Sequence, residues 1–448
     1  MPPGHGLFCD AWTCAALYCG YSEQEPMTAG IRKFDVIVLG AGAAGLMCAA
    51  TAGQRGRRVA LLDHNGQPGR KILVSGGGRC NFTNLHCEPQ NFLSENPHFA
   101  KSVLALYQPR HFLELVERYG VVWHEKTLGQ LFCDGSARAI LDMLLAECER
   151  GGVEIVLNAT CGGANILRLS ERGHQISHNA GGFRVSSSAG VFEAESLVVA
   201  TGGKSIPKLG ATGLGYELAR QFGLGVVAPR PALVPLVLGG AEAGWTELAG
   251  VSAEVEASAG GAKFREMMLV THRGLSGPAV LQASLYWRQG EALMLDFVPQ
   301  IELSHPGGKN KCAARVGHPE GILEALRQPG ARRDLAALRQ ALRAALPQRL
   351  ANYLAEIGGP KGWTNVALEA CEQGLHRWEF HPVGTEGFEK AEVTAGGVDT
   401  AGLQARTMEA RAVPGLFFIG EVVDVTGQLG GFNFQWAWSS GVAAGRAV

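Results

Sequence analysis

The sequence has no pair of cysteines with C-x-x-C spacing, although it contains 11 cysteines in 448 residues. Zinc sites and thiol-disulfide centres commonly use that spacing, and small secreted proteins carry dense disulfide frameworks. The scattered cysteines favour neither class and are typical of a protein of the reducing cytosol. Cys9, Cys14 and Cys19 are regularly spaced, but no His or Cys group beside them completes a metal site. The sequence therefore predicts no bound metal.

Charge of one sign and long apolar runs are also lacking. The formal net charge of −1 gives no overall attraction to nucleic acid or to an anionic membrane. Residues 1–33 lack the basic start and long apolar core of a secretory leader. We interpret them as an extraneous or disordered extension, with translation starting at Met27. The apolar stretch at residues 36–53 contains four glycines, which favours a strand, turn and helix over a membrane span.

Glycine is in excess, with 62 residues, about twice the average share. GAGAAG at residues 40–45 follows the apolar run FDVIVL and precedes an alanine-rich stretch, which predicts the strand, tight turn and helix of a dinucleotide-binding unit. Gly40 permits the turn, Gly42 lets the backbone approach a pyrophosphate, and Gly45 lets helix and strand pack closely. Asp63 ends the next predicted strand, where an acid accepts hydrogen bonds from a ribose diol.

A second glycine-rich stretch, GEVVDVTGQLGGFNFQWAWSSG, covers residues 420–441 and follows the predicted strand GLFFI. A carboxylate there, which we expect to be that of Asp424, can bind ribityl hydroxyls. Gly430 and Gly431 precede a predicted helix and can bring backbone N–H groups to an isoalloxazine ring or a pyrophosphate. A domain that binds only NAD has no need of this element, so the two stretches together predict FAD. No second G-x-G-x-x-G follows a strand, and NAD(P)H is therefore expected to dock transiently.

The pattern changes twice between these stretches. Residues 69–84, GRKILVSGGGRCNFTN, hold too much glycine and too many polar residues for a core element and predict a functional loop. Short β-rich pieces occupy residues 229–303, and residues 320–378 are helical and rich in Arg and Ala. The sequence thus predicts an α/β fold in which an FAD-binding domain, residues 34–228 and 381–448, is split by an inserted domain, residues 229–380.

Several long strings carry a resemblance to a known family. The chain resembles the HI0933-like (YhiN/BaiN-like) NAD(P)/FAD-dependent oxidoreductases, also described as aminoacetone-oxidase-family flavoproteins. The similar strings are GRKILVSGGGRCNFTN, VVATGGKSIPKLGATGLGY, THRGLSGPAVLQAS, AEVTAGGVDTAGLQARTMEA and FFIGEVVDVTGQLGGFNFQWAWSSGVAAG. The resemblance extends from Phe34 to the end of the sequence. The sequence departs from the family pattern at Asp63, at TMEA in residues 407–410 and across residues 304–321.

The resemblance implies a Rossmann-like core of the GR2 type, bound FAD and an inserted pair of subdomains, one β-rich and one helical. It also implies reduction of an activated C=C bond with electrons from NAD(P)H, in substrates that range from steroid-like enones to a uracil base of ribosomal RNA. An amine oxidase that uses oxygen is one alternative, and an RNA-modifying, uracil-reducing flavoprotein is another. With the motifs above, it assigns cofactor binding to Gly40, Gly42, Ala43, Ala44, Gly45, Asp63, Arg70, Lys71, Ser75, Gly76, Gly77, Arg79, Asn81, Thr83, Asn84, Thr201, Gly202, Gly203, Gly420, Glu421, Asp424, Gly430, Gly431 and Asn433.

Few titratable residues are candidates for catalysis. His272 ends a predicted strand before a glycine-containing turn and is the candidate general acid, although a histidine that only hydrogen-bonds the turn is the more common case. Arg79 and Lys71 are expected to face the FAD phosphates or the reduced flavin, with solvation at the surface as the alternative. Cys80 has no resolving cysteine nearby and is expected to be a small packed residue.

The helical insert is locally basic, with nine Lys or Arg between Lys309 and Arg349 against three acids. Such a patch can hold a polyanion. Leu335, Leu338, Leu342 and Leu346 mark one apolar helical face, however, and leave the arginines on another, as in any solvated helix. We therefore expect a small-molecule or nucleobase substrate, and we do not favour a nucleic-acid site on the insert.

Overall fold

The computed structural model describes residues 30–162, 166–169, 182–299 and 321–448. The expectations for residues 1–29 and 304–320 lie outside the described residues. The strands in chain order are β1 Arg32–Lys33, β2 Val36–Leu39, β3 Val59–Leu62, β4 Asn81–Asn84, β5 Phe92–Leu93, β6 Trp123–Glu125, β7 Gln130–Cys133, β8 Glu154–Val156, β9 Ile166–Leu169, β10 Gly182–Ser187, β11 Gly190–Ala194, β12 Ser196–Val199, β13 Val226–Ala232, β14 Leu236–Val237, β15 Ser252–Ala259, β16 Ala262–Val270, β17 Gly274–Ser276, β18 Leu293–Asp296, β19 Trp378–Phe380, β20 Gly384–Thr385, β21 Val393–Val398, β22 Leu416–Phe418 and β23 Thr426–Gly427. The helices are α1 Ala43–Gln54, α2 Arg70–Val74, α3 Ala100–Leu106, α4 Pro109–Arg118, α5 Arg138–Arg150, α6 Leu214–Gln221, α7 Pro278–Tyr286, α8 Glu324–Arg327, α9 Leu335–Arg343, α10 Gln348–Ile357, α11 Asn365–His376 and α12 Phe432–Ala447.

A five-stranded parallel sheet, in the order β22-β12-β2-β3-β8, forms the centre of the first core. Strands β2 and β3 are runs of aliphatic residues, β12 has three aliphatic residues after Ser196, and all three strands are buried along their whole length. Strands of this kind need apolar partners on both faces, which is why they form a parallel sheet covered by helices. The α/β fold with a Rossmann-like parallel sheet is therefore confirmed.

The first domain includes two residues that precede Phe34. Strand β1 pairs in parallel with β11, with Arg32 opposite Phe192. The Arg32 guanidinium lies over the rings of Phe34 and Phe192 and forms an ion pair with Glu154. Arg32 and Lys33 thus belong to this domain, although the sequence predicted that it begins at residue 34.

Helix α1 packs on this sheet, and α12 packs against α1 with the two helices running in parallel. A Cβ atom at Gly441 would lie 2.7 Å from the backbone oxygen of Ala44, and one at Gly445 would lie 2.7 Å from that of Cys48. The two glycines therefore allow the backbones to touch. This contact joins the two glycine-rich stretches of the sequence in space.

A second core belongs to a seven-stranded antiparallel sheet in the order β19-β18-β15-β16-β17-β14-β20. Helices α8 to α11 and the ring of Trp245, stacked on Phe297, pack with it into one cluster of buried residues. Strands β13 and β21 pair where the chain leaves the first core and where it returns, with Ala232 opposite Val393. The chain therefore enters and leaves this second body through one two-stranded ribbon.

Residues 69–84 are more ordered than a loop, which corrects the sequence-based expectation. They form α2, a tight turn through Gly76 and Gly77, and β4. Cys80 and Phe82 are fully buried, and β4 pairs with β7. The segment is a wall of the core whose glycines allow the turn. Cys80 is a small packed residue, as expected, and burial raises its pKa to about 12.

Within the described part of the chain, no helix combines the length and apolarity needed to cross a membrane.

Candidate functional site

A cavity of about 830 Å³ opens at the carboxyl ends of four neighbouring parallel strands. Gly40 follows β2, Asp63 follows β3, Thr201 lies just beyond β12 and Gly420 lies just beyond β22, and all four residues line the cavity. Ligands of open α/β sheets bind in the crevice at this edge. The parallel sheet therefore presents its binding edge to one large cavity.

The amino terminus of α1 forms one end of the cavity. No side chain caps the helix at Gly42, and a Cβ atom at Gly42 would meet no other atom within 4 Å. The space in front of the first helical N–H groups is therefore open, as a pyrophosphate requires. Asp63 supports the turn from behind, because its carboxylate accepts hydrogen bonds from the backbone N–H of Ala41 (2.7 Å) and of Asn65 (2.8 Å).

The amino terminus of α12 lies further along the same cavity. Gly441 is level with Ala44, so α12 starts about eight residues, or roughly 12 Å, ahead of α1. Gly430 and Gly431 precede α12 with φ angles of 121° and 95°. Two positive helix ends thus face one elongated cavity at different points along it. This arrangement suits a ligand that carries a pyrophosphate and, some distance along the molecule, an electron-accepting ring.

A fixed carboxylate lies on the cavity wall beside β22. Glu421 accepts hydrogen bonds from the Lys71 ammonium (2.7 Å), the Ser205 hydroxyl (3.0 Å) and the backbone N–H of Thr394 (2.8 Å). These three donors hold the side chain in one orientation. Its remaining lone pairs can accept hydrogen bonds from the hydroxyl groups of a ribityl chain.

The second body contributes the far wall through Leu233, Glu266 and Pro278. Glu266 was missed in the sequence analysis. It stands in β16, where the alternate residues Phe264, Met268 and Val270 face the apolar side of the sheet. An acid in the apolar register of a strand is the signal that sequence reasoning could have used.

The sequence profile of the HI0933-like protein Rossmann domain matches residues 34–447. The chain belongs to this family. Members of the family are FAD-dependent oxidoreductases, and the open space at Gly42, the two helix ends and the Glu421 carboxylate fit FAD.

Three relatives of known activity align over nearly their whole length. The ribosomal RNA dihydrouridine synthase of Escherichia coli is 46% identical over 423 residues, which are 93% of this chain and 98% of that protein. The enzyme of the same description from Haemophilus influenzae is 41% identical, over 92% and 98% of the two chains. The 3-dehydro-bile acid delta(4,6)-reductase of Clostridium scindens is 31% identical, also over 92% and 98%.

Most residues to which we assigned cofactor binding line the cavity described above. Those that line it are Gly40, Gly42, Ala43, Ala44, Asp63, Arg70, Lys71, Ser75, Gly76, Gly77, Asn81, Thr201, Gly202, Gly203, Gly420, Glu421, Gly430, Gly431 and Asn433. The structure does not place Gly45, Arg79, Thr83, Asn84, Asp424 or His272 on its walls.

Asp424 makes hydrogen bonds within the protein and does not line the cavity, which corrects its assignment to the ribityl chain. It is buried, and its carboxylate accepts hydrogen bonds from the backbone N–H of Glu95 (2.9 Å) and the hydroxyl of Ser94 (3.4 Å). Burial raises its pKa. A short turn after Gly420 directs Glu421 into the cavity and Asp424 away from it.

We expect Asp424→Ala to leave the FAD dissociation constant within about threefold of wild type while lowering the free energy of unfolding by about 1–3 kcal/mol. The reason is that the substitution leaves the N–H of Glu95 without its acceptor but removes nothing from the cavity wall. Flavin titration and denaturant unfolding measure the two effects. Glu421→Gln is the matched comparison and should weaken FAD binding. A large loss of FAD affinity in Asp424→Ala at unchanged stability would contradict this placement.

Four other assignments are corrected because the side chains face the protein or the solvent. Arg79 is exposed, since the neighbouring Cys80 takes the buried position. Thr83 donates its hydroxyl to Gln435 (2.6 Å), and Asn84 donates its amide to the carbonyl of Gly430 (2.9 Å). Gly45 is a packing position, because a Cβ atom there would collide with the carbonyl oxygen of Gly40. Thr83, Asn84 and Gly45 thus hold the cavity walls together without lining them.

His272 does not line the cavity, so the structure gives no support to its assignment as the general acid. It is exposed in the turn that joins β16 to β17. The hydroxyl of Thr271 accepts hydrogen bonds from the backbone N–H groups of Arg273 (3.2 Å) and Gly274 (3.1 Å), which closes that turn. His272 and Arg273 in this turn are both exposed to solvent.

The described arginines of the helical insert are largely engaged by the protein itself. Arg339 forms an ion pair with Glu356, and Arg343 donates to the side-chain oxygen of Asn352. Arg333 donates to the backbone carbonyls of Leu326 and Trp363. The interpretation of α9 as an ordinary solvated helix is consistent with these contacts.

Proposed function

We propose that this flavoenzyme reduces the C5=C6 bond of a uracil base in ribosomal RNA, with NAD(P)H as the electron donor. The observation that carries the proposal is the 46% identity to the ribosomal RNA dihydrouridine synthase of Escherichia coli over 98% of that protein. The Haemophilus influenzae enzyme is 41% identical to this chain over 98% of its own length. A ribosomal RNA substrate would place the enzyme in the cytosol.

The relatives share one reaction chemistry despite different substrates. Dihydrouridine is uridine with its C5=C6 bond saturated, and a delta(4,6)-reductase acts on C=C bonds conjugated to a ketone. In each case the carbon–carbon double bond is activated by a carbonyl group. FAD, when bound, supplies the hydride. The protein then has to bind the substrate against the flavin, exclude water and supply one proton.

The cavity supports this division of labour. Its nucleotide end is built by the parallel sheet, and its far wall comes from the second body through Leu233, Glu266 and Pro278. Lys126 also lines the cavity and supplies a positive charge at its wall. A base that enters between the two bodies would therefore lie between the cofactor and an acid.

Dihydrouridine in ribosomal RNA should disappear when the gene is deleted and return when the gene is restored, because the proposed reaction forms this nucleoside. Mass spectrometry of nucleosides from purified ribosomal RNA measures this. Anaerobic mixing with NADPH should bleach the flavin of the purified enzyme rapidly. Bleaching by an amine but not by NADPH would instead identify an amine oxidase. An unchanged dihydrouridine content in the deletion strain would exclude the proposed substrate.

A further inference from the structure

Glu266 is the acid that the second body places at the cavity. The residues on either side of it in β16, Arg265 and Met267, are exposed, whereas Glu266 shares its face with Phe264 and the buried Met268. Among the described residues no ion pair includes Glu266. Burial raises its pKa above the ordinary value for a glutamic acid. A carboxyl group in such surroundings retains its proton more readily than one in water.

One glutamine connects Glu266 to the loop that precedes α12. The amide of Gln282, in α7, donates to Glu266 (3.4 Å) and to the carbonyl of Leu429 (3.3 Å). Its carbonyl oxygen accepts a hydrogen bond from the N–H of Leu429 (2.8 Å). Leu429 directly precedes Gly430 and Gly431, at the end of the cavity that suits the flavin ring. Gln282 therefore fixes Glu266 relative to the flavin end and not to the pyrophosphate end.

Glu421 and Glu392, two of the other acids on the cavity wall, are less suited to donate a proton. Glu421 is ion-paired with Lys71 and accepts two further hydrogen bonds, so the protein already holds its oxygens in place. Glu392 also lines the cavity, and burial raises its pKa, but it lies within the field of Lys71, which acts in the opposite direction. Glu421 lies just beyond β22, on the side of the cavity that the parallel sheet forms.

We propose that Glu266 is the general acid that completes reduction of the substrate double bond. This inference rests on the proposed function. The hydride from the bound cofactor forms the new C–H bond at C6, and the π electrons of C5=C6 shift toward the C4 carbonyl. C5 then takes the proton of the Glu266 carboxyl group, so the O–H bond breaks as the second C–H bond forms. Glu266 regains its proton from solvent, and NAD(P)H supplies the electron pair.

The test compares Glu266→Gln with Glu254→Gln as a matched control. Glutamine keeps the shape of the side chain and its contact with Gln282 but holds no acidic proton. Glu254 lies in the adjacent strand β15, on the exposed face, where it pairs with Arg265. We expect normal FAD content and normal flavin bleaching by NADPH in both variants. Single-turnover formation of dihydrouridine in ribosomal RNA from the deletion strain should fall by about 10²- to 10⁴-fold in Glu266→Gln only.

Two further readouts separate this inference from the identity of the substrate. Reoxidation of the reduced flavin by oxygen needs no proton on carbon and should be unchanged in Glu266→Gln. In an infrared pH titration, the protonated-carboxyl band of wild type should include a component that persists to a higher pH than an ordinary glutamic acid does. Glu266→Gln should lack this component and Glu254→Gln should retain it. If wild type forms no dihydrouridine, the proposed substrate is wrong, and the same rate comparison is made with a 3-oxo-4-ene steroid. Equal rates in the variants, or an infrared titration without this component, would overturn the role of Glu266.

Discussion

Gly42→Val should give a folded protein that does not hold FAD. The backbone of Gly42 has a φ of −84°, which any residue can adopt, and a Cβ atom there would contact no protein atom within 4 Å. The added side chain therefore disturbs little in the apoprotein. It fills the space in front of the α1 amino terminus that a pyrophosphate would occupy. We expect the FAD dissociation constant to rise at least about 100-fold, or roughly 3 kcal/mol.

Flavin titration of the purified apoprotein measures this effect, with circular dichroism as the check on folding. Gly56→Ala is a suitable control, because Gly56 also has open space around it but lies at the far end of α1. Its φ of 87° makes some strain expected there, yet FAD affinity should not change. Normal FAD affinity in Gly42→Val would mean that the pyrophosphate lies elsewhere in the cavity.

Gly441→Val should be the most destabilising of the substitutions considered for this protein. A Cβ atom at this position would lie 2.7 Å from the backbone oxygen of Ala44 and 3.1 Å from the Cβ of Met47. Backbone atoms cannot rotate away as a flexible side chain can, so α12 would have to move off α1. Overpacking of this kind costs about 3 kcal/mol. The shift would also displace the α12 amino terminus and thereby lower FAD affinity.

The control for this prediction is Gly374→Ala in α11. Gly374 is exposed in a helix and has no atom within 4 Å of an added Cβ, so alanine should raise stability by up to about 1 kcal/mol. Thermal unfolding at saturating FAD compares the variants with wild type. If Gly441→Val unfolded at the wild-type temperature, the close contact between α1 and α12 would be refuted.

The backbone-binding half of the site was predictable from sequence because its chemistry lies in glycine spacing. Gly40, Gly42 and Asp63 each follow or flank a strand whose apolar run is plain in the sequence, and the cavity contains all three. The acids after β22 were not separable in the same way. Glu421 and Asp424 are three residues apart, and only the turn after Gly420 decides which of them faces the cavity.

The catalytic half was harder to predict because it depends on contacts between distant segments. His272 stood at a strand end, which suggested a site, but the strand end faces solvent. Glu266 reaches the cavity because β16 packs against α7. Gln282 of α7 in turn contacts Leu429, which lies 147 residues later in the chain. Strand register could have revealed an acid among apolar residues, but only the tertiary structure shows what that acid faces.

The paired strands β13 and β21 bear on how members of this family can diverge. Because Ala232 and Val393 are opposite each other, the 160 residues between them start and finish at neighbouring points. A segment with adjoining ends can be replaced, lengthened or shortened without moving the strands that hold the nucleotide. Leu233 and Glu392 sit at this junction and line the cavity, so they mark the boundary that a chimeric enzyme should preserve. Exchange of residues 234–391 between relatives is therefore a direct way to transfer substrate preference onto an unchanged FAD-binding domain.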